Sequence, residues 1–269
     1  YLCETRNFDG TCVVIFQPAE EGGGGGREMC ADGLMARWNI DEVYGMHNWP
    51  GQPLGQFAIR TGPFFAATDE FSITVEGKGG HAAKPQDAID STVVASHLVI
   101  ALQTIASRNV DPTEQVVVSV TSFETSSKAH NVLPQSVELR GTVRTLNKDV
   151  RAQAETRVKD IAAGIGATFG ADIDTRYRLG YPVMVNHDQE TQYAIEAATK
   201  VAGSCDHAPL VMGGEEFACM LEERPGAYIL VGNGDSAPVH HPKFNFNDDI
   251  LPVGASWYAE MVESRLPVA

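Results

Sequence analysis

Between Thr68 and Arg178 the hydrophobic period switches from two to about 3.6 and back, twice over, and this alternation restricts the chain to few architectures. Phe71, Ile73 and Val75 alternate with Ser72, Thr74 and Glu76, the pattern of a half-buried strand. From Asp87 to Ser107 the spacing becomes helical, with Val94, Leu98, Ala101 and Ile105 on one face. Gln115–Ser119 is a valine-rich strand, and Val137, Leu139 and Val143 alternate with Glu138, Arg140 and Thr142 as another. Val150, Ala154, Val158, Ile161 and Ile165 return to helical spacing, and Ala171–Arg178 closes as a polar strand. The order β-α-β-β-α-β is that of the ferredoxin-like split unit, two helices covering one face of a four-stranded antiparallel sheet.

The flanking stretches read differently. Thr11–Phe16 is an apolar run of buried-strand character, followed by a glycine-rich loop, a helical stretch at Arg27–Arg37 and a short strand at Val43–His47. Gly62-Pro63 marks one break and Leu179-Gly180-Tyr181-Pro182 a second. Beyond it come a helix at Glu190–Ala202, a turn at Gly213-Gly214, a helix at Glu215–Glu222, a strand at Ala227–Val231, a long loop and a final helix. The simplest organisation is one discontinuous α/β domain, 1–64 and 179–269, interrupted by an α+β domain at 65–178.

The chain has 20 Lys and Arg against 35 Asp and Glu, a formal net charge of −15. That balance argues against nucleic acid, since no basic face is available for phosphates, and against an anionic membrane surface as a partner. No apolar run approaches the ~18 residues of a membrane span. Cys3, Cys12, Cys30, Cys205 and Cys219 are odd in number and irregular in spacing, which favours a reducing cytoplasm over a disulfide framework. The opening Tyr1-Leu2-Cys3-Glu4-Thr5-Arg6 reads as the last turns of a helix, so upstream sequence is expected.

Chemistry concentrates where the strands stop. Gln17-Pro18-Ala19-Glu20-Glu21 places two adjacent carboxylates after the first apolar run, and five glycines follow. One carboxylate of such a pair can bind a metal while its neighbour handles the proton of a bound water. His47 lies where the second strand runs out, the end at which open α/β sheets place ligands. His240-His241-Pro242 lies in a loop with Asp235, Asp248 and Asp249 near in sequence. Gly79-Gly80-His81 sits at a strand–helix corner, and Cys205-Asp206-His207 has a ligand-like spacing without a second pair. Singly, each has a plainer reading: a solvated acidic loop, a structural histidine, a helix cap, a surface turn.

Together these residues match a family. Phe16–Gly23, Gly45-Met46-His47, Gly77–Ala83, Asn131-Val132-Leu133-Pro134, Gly141–Thr145, Met212–Phe217 and His240-His241-Pro242 occur in the order seen in the hippurate hydrolase/N-acyl-amino-acid amidohydrolase family. The chain closely resembles that family, part of the aminoacylase–carboxypeptidase dinuclear-metal superfamily. The resemblance implies a metallohydrolase domain with an inserted lid and dimerisation domain, assembled as a homodimer or tetramer. It implies two divalent ions, Zn or Mn foremost, with Co or Ni compatible, and a small N-acyl amino acid as substrate. Glu20 corresponds to the general base, and Glu21, His47 and His240 to metal ligands. His81 and Asn131 correspond to residues that reach the scissile carbonyl, and Arg144 to one that reaches a carboxylate. Arg144 lies on the polar face of its strand, from which a guanidinium is expected to point outward.

Three departures stand out. The family's Cys-x-Gly-His ligand segment does not precede residue 20, which implies N-terminal truncation and a weakened metal site. Gln86 stands where relatives often carry His, and Glu215-Glu216 stands where they often carry Ser or Ala, Glu and Asp. The leading expectation is hydrolysis of the amide of an N-acyl amino acid by the intact protein. The competing readings are a carboxypeptidase or N-carbamoyl-amino-acid hydrolase of the same superfamily, and a non-catalytic dimeric fragment with an incomplete metal site.

Overall fold

A computed structural model describes residues 1–268. The chain divides into two compact units. The first comprises Tyr1–Phe64, Met184–Val211 and the chain from Glu215 onward; the second comprises Phe65–Val183 and Met212–Gly214.

The first unit is built on a mixed sheet. Gly226–Gly232 is an uninterrupted apolar run with all seven residues buried, as a central strand requires. It pairs in parallel with Val43–Trp49, Val43 opposite Gly226 and His47 opposite Leu230. On its other side it runs antiparallel to Phe57–Ile59, which pairs in parallel with Cys205–His207. The helices Asp188–Ala202 and Leu251–Arg265 close the core against Phe57, Ile59, Ile229 and Val231. Trp257 is fully buried there, and the small side chains Ala194, Ala197 and Ala198 leave it room. Its indole N–H donates to Ala194 O at 3.1 Å, so the one polar atom of the ring is satisfied. Asp188 and Glu190 in the first turn and Lys200 in the last oppose the dipole of the earlier helix, which ends on Gly203 in the left-handed conformation.

The second unit carries a four-stranded antiparallel sheet in the order Val116–Thr125, Ser136–Thr145, Ala67–Glu76, Asp172–Leu179. Helices Ser91–Leu102 and Lys148–Phe169 share one core with it, Val94, Leu98, Ala154 and Val158 meeting Ile73, Val75, Val137 and Leu139. Both helices begin on side-chain caps. Asp90 accepts from the Thr92 and Val93 amides, and Asn147 from those of Asp149 and Val150.

One inward position of this sheet is polar. Asp69 is 1% exposed, in line with Ala67, Phe71, Ile73 and Val75. Its carboxylate accepts from Arg151 Nη2 at 2.6 Å and Nε at 3.0 Å, from Tyr177 OH at 3.0 Å and from the Gly180 amide at 3.0 Å. A buried charge is tolerated when its lone pairs are all taken up in this way.

Several local expectations are corrected. Thr11–Phe16 forms no strand, and Val14 and Phe16 are 69% and 88% exposed. An apolar run becomes a buried strand only with a ladder partner, and this segment pairs with none of the described strands. The stretch Arg27–Arg37 is two short helices, Gly25–Ala31 and Leu34–Arg37, separated at Asp32 and at Gly33 in the left-handed conformation. The helical reading over Asp87–Ser107 starts later, because Asp90 caps at Ser91, and its end widens into a π-turn at Ile105–Asn109. The helix expected at Glu215–Glu222 runs from Ala218 to Glu223. Cys205-Asp206-His207 is a sheet strand and not a surface loop. Among the described residues no helix is long and apolar enough to cross a membrane.

Candidate active site

The first unit holds a cavity of about 1380 Å³, bordered by Glu20, His47, Glu215, Phe217, Tyr228 and Tyr44 among others. Four of the residues singled out in the sequence, Glu20, Glu21, His47 and His240, belong to this unit.

Glu20 is half-buried at the tip of the turn that follows Pro18. Ala19 before it has φ 56°, a left-handed conformation that costs a non-glycine residue of order 1 kcal/mol or more. Burial, reinforced by the charges of Glu215, Glu21 and Glu216, pushes the Glu20 carboxyl up to about 7, against a hydrogen bond from the Glu216 backbone amide that favours its ionised form. Glu21 is exposed and lies 3.8 Å from His240 Nε2. His240 is itself left-handed, at φ 65°.

His47 lies within the parallel pairing of Val43–Trp49 with Gly226–Gly232, opposite Leu230 and two residues short of its end. Its Nδ1 sits 2.5 Å from Asn48 O and its ring meets Trp49 edge-on, with centroids 5.8 Å apart. With Nδ1 donating to that carbonyl, Nε2 is the ring atom left with a free lone pair.

Glu215 and Glu216 were visible in the sequence only as part of a motif, and both are buried. Glu215 accepts from Tyr228 OH at 2.7 Å and from the Phe217 amide at 3.0 Å. Burial and the Glu215 carboxylate together hold the Tyr228 hydroxyl well above the ordinary phenol range. Nothing in the sequence singles out Tyr228, which reads only as one residue of a buried strand. In the sequence Gln17 is visible with its segment but carries no evident role, because its contact depends on a partner 199 positions away, Glu216, to which it donates at 2.5 Å.

The remaining three candidates lie in the second unit. His81 and Asn131 are brought side by side: Gly80–His81 pairs antiparallel with Val132–Leu133, and the Ala82 amide donates to Asn131 O at 3.0 Å. His81 Nδ1 accepts from the Ala83 amide at 3.1 Å. Arg144 does not point freely outward as expected. It is half-buried, and its Nη1 donates to Thr142 Oγ1, to Val143 O at 3.1 Å and to Asp69 O at 3.4 Å. The Thr142 hydroxyl and the neighbouring backbone of its own sheet offer these acceptors, and burial lowers the guanidinium's proton affinity.

The donor set for a metal is incomplete in this chain. Among the described residues no three His, Cys, Asp or Glu side chains converge as an ion would require. Glu21 and His240 approach each other as a pair, both more than two-thirds exposed, and His47 is turned to its own neighbours. The residues present do not fit a closed metal centre.

A family model described as Peptidase family M20/M25/M40 matches residues 2–264. The chain belongs to that family. It is 36% identical over 261 residues to a hippurate hydrolase of Campylobacter jejuni, covering 96% of this chain and 68% of that protein. It is 34% identical over 252 residues to an N-acetylcysteine deacetylase of Bacillus subtilis, covering 94% and 66%. A Bacillus subtilis dinuclear metal binding peptidase from the M20 family superposes with a TM-score of 0.79 at 30% identity, covering 93% of this chain and 64% of that one. The chain thus spans about two thirds of the length of the M20 relatives it matches. The mixed-sheet α/β fold of the first unit is the fold of this family.

Proposed function

We propose that the chain serves hydrolysis of the amide bond of N-acyl amino acids, with Glu20 as the proton-handling group. One observation carries this reading: Glu20 is a half-buried carboxyl bordering a cavity in an M20 fold, and burial together with the charges of Glu215, Glu21 and Glu216 raises its proton affinity toward the neutral range. Such a group accepts a proton from water and returns it to a leaving amine at neutral pH, and that service contributes about 10²–10⁴-fold to rate. Water adds to the carbonyl, Glu20 takes its proton, the C–N bond breaks and the proton passes to the amine, leaving a carboxylic acid and an amino acid.

We assign Glu21, His47 and His240 as the chain's candidate metal donors. Mixed N and O donors suit Zn or Mn first, and Co or Ni as well. We assign His81, Asn131 and Arg144 to substrate contact, and the second unit to the roles of lid and of homodimer interface. All five cysteines are free, which supports a reducing cytoplasmic setting. The names of the relatives set the substrate panel: hippurate, N-acetylcysteine and N-acetyldiaminopimelate. N-carbamoyl amino acids and dipeptides complete it.

Turnover of at least one acyl amino acid, abolished in Glu20→Gln with little change in KM, is the expected result. Undiminished turnover in Glu20→Gln would sink the assignment. A second reading, a chain that binds and does not turn over, is favoured by the open donor set. No turnover of any substrate by the purified chain, with or without added metal, would decide for it.

A further inference from the structure

The segment Gln17–Gly26, which carries the carboxylate pair, is held from across the unit by one residue. Glu216 Oε1 accepts from Gln17 Nε2 at 2.5 Å. The same carboxylate takes a backbone hydrogen bond from Gly26, and the Glu216 amide donates to the Glu20 carboxylate. Glu216 therefore touches the segment at its start, at its end and at the reacting group between them. The segment itself is folded tightly: a Cβ on Gly25 would lie 1.9 Å from Pro18 O, a contact only glycine avoids.

Glu216 is fully buried, and its Oε2 has no hydrogen-bond partner. A buried carboxylate with an unmatched oxygen is an expensive choice for mere packing. Glu215 beside it is anchored independently, by Tyr228 OH and the Phe217 amide, which fixes the backbone from which Glu216 reaches.

We propose that Glu216 is the positioning residue of this site, clamping Gln17 and Gly26 so that Glu20 is presented to the cavity. The proposal rests on the reading of Glu20 as the proton-handling group.

The experiment uses the full chain with Glu216→Gln, Glu216→Asp and Gln17→Ala. Glu216→Gln keeps the volume but removes the charge, leaving a neutral amide oxygen as a weaker acceptor. In it the Gly26 amide should exchange with solvent about tenfold faster, equivalent to the loss of one hydrogen bond of about 1.4 kcal/mol. The Glu20 side-chain carboxyl carbon resonance should move, while amides of Gly226–Gly232 keep their protection and report an intact fold. Gln17→Ala should loosen Gly26 in the same way, and Glu216→Asp should restore part of the protection. In turnover, kcat should fall by up to about 10²-fold with KM unchanged, as expected when a reacting group is misplaced by about 1 Å. Unchanged Gly26 exchange in both Glu216→Gln and Gln17→Ala would overturn the clamp, as would full kcat with Gly26 loosened. A wild-type chain without turnover would overturn the proposed function instead, and the exchange and resonance arms would still decide the clamp.

Discussion

Arg265 and Glu42 form a two-bonded ion pair, Nε to Oε2 at 3.0 Å and Nη2 to Oε1 at 2.8 Å, that joins the last turn of the final helix to the residue just before the strand Val43–Trp49. Tyr44 OH also donates to Glu42 Oε2, at 2.8 Å, and the Arg265 guanidinium lies over the Tyr193 ring, 3.5 Å from its centroid. The Arg265 hydrogen bond is the largest influence holding the Glu42 carboxyl below its usual range. A carboxyl whose folded pKa is depressed stabilises the fold above its unfolded pKa of about 4.3, and that stabilisation is lost as pH falls through the folded value. Urea denaturation of wild type and Glu42→Gln should therefore differ by about 1 kcal/mol at pH 7, with the gap closing below pH ~4. A gap that persists undiminished at pH 2 would assign the effect to packing.

Asp69→Ala should be the costliest single change in the second unit, at about 3–5 kcal/mol, because it strands the Arg151 guanidinium beside an emptied site. Asp69→Asn keeps an acceptor for Tyr177 and should cost less. Denaturant midpoints of the two variants give the comparison, and equal midpoints would show that the charge is immaterial.

Trp257→Ala should cost about 3–5 kcal/mol, since the ring fills the core of the first unit and Ala194, Ala197 and Ala198 are too small to collapse into its place. Thermal unfolding followed by tyrosine fluorescence would read it.

Gly25→Ala should disturb the carboxylate loop and spare the sheets. The added methyl has no space beside Pro18 O, so the loop must open. Proteolysis within the glycine run should accelerate while the amides of Gly226–Gly232 stay protected. Equal proteolysis rates in variant and wild type would contradict the tight fold of this loop.

Divalent ions should bind this chain weakly. Glu21 and His240 lie 3.8 Å apart at the surface and would offer an ion two donors, which would stabilise the fold only in proportion to occupancy. Calorimetric titration with Zn²⁺ or Mn²⁺ should give at most one low-affinity event, lost in His240→Ala. Two tight ions per chain would overturn the open donor set.

Much of this was legible from period alone. Ala67–Glu76 and Lys148–Phe169 announce themselves because one face of each is apolar at the spacing its geometry demands. Gly226–Gly232 does so by having no polar face at all. Thr11–Phe16 carries the same apolar signal, but burial depends on a partner strand, which a local pattern does not reveal. Asp69 left a trace, a lone acid at an inward position of an alternating strand, whereas its partners Arg151 and Tyr177 lie far along the chain. Glu20, Glu21, His47 and His240 could be picked out by residue type and motif. The pairing of Gln17 with Glu216 could not, since each sits in a separate motif and only the fold joins them.

The interruption of the first unit has a consequence in time. Its central ladder joins Val43–Trp49 to Gly226–Gly232, so it cannot close until the second of these has left the ribosome. The sheet and both helices of the second unit are complete by Leu179, much earlier in synthesis. With local contacts available first and loop closure costly, the interrupting unit is the one that should gain structure first. The residues around Glu20 would then spend most of synthesis as open chain.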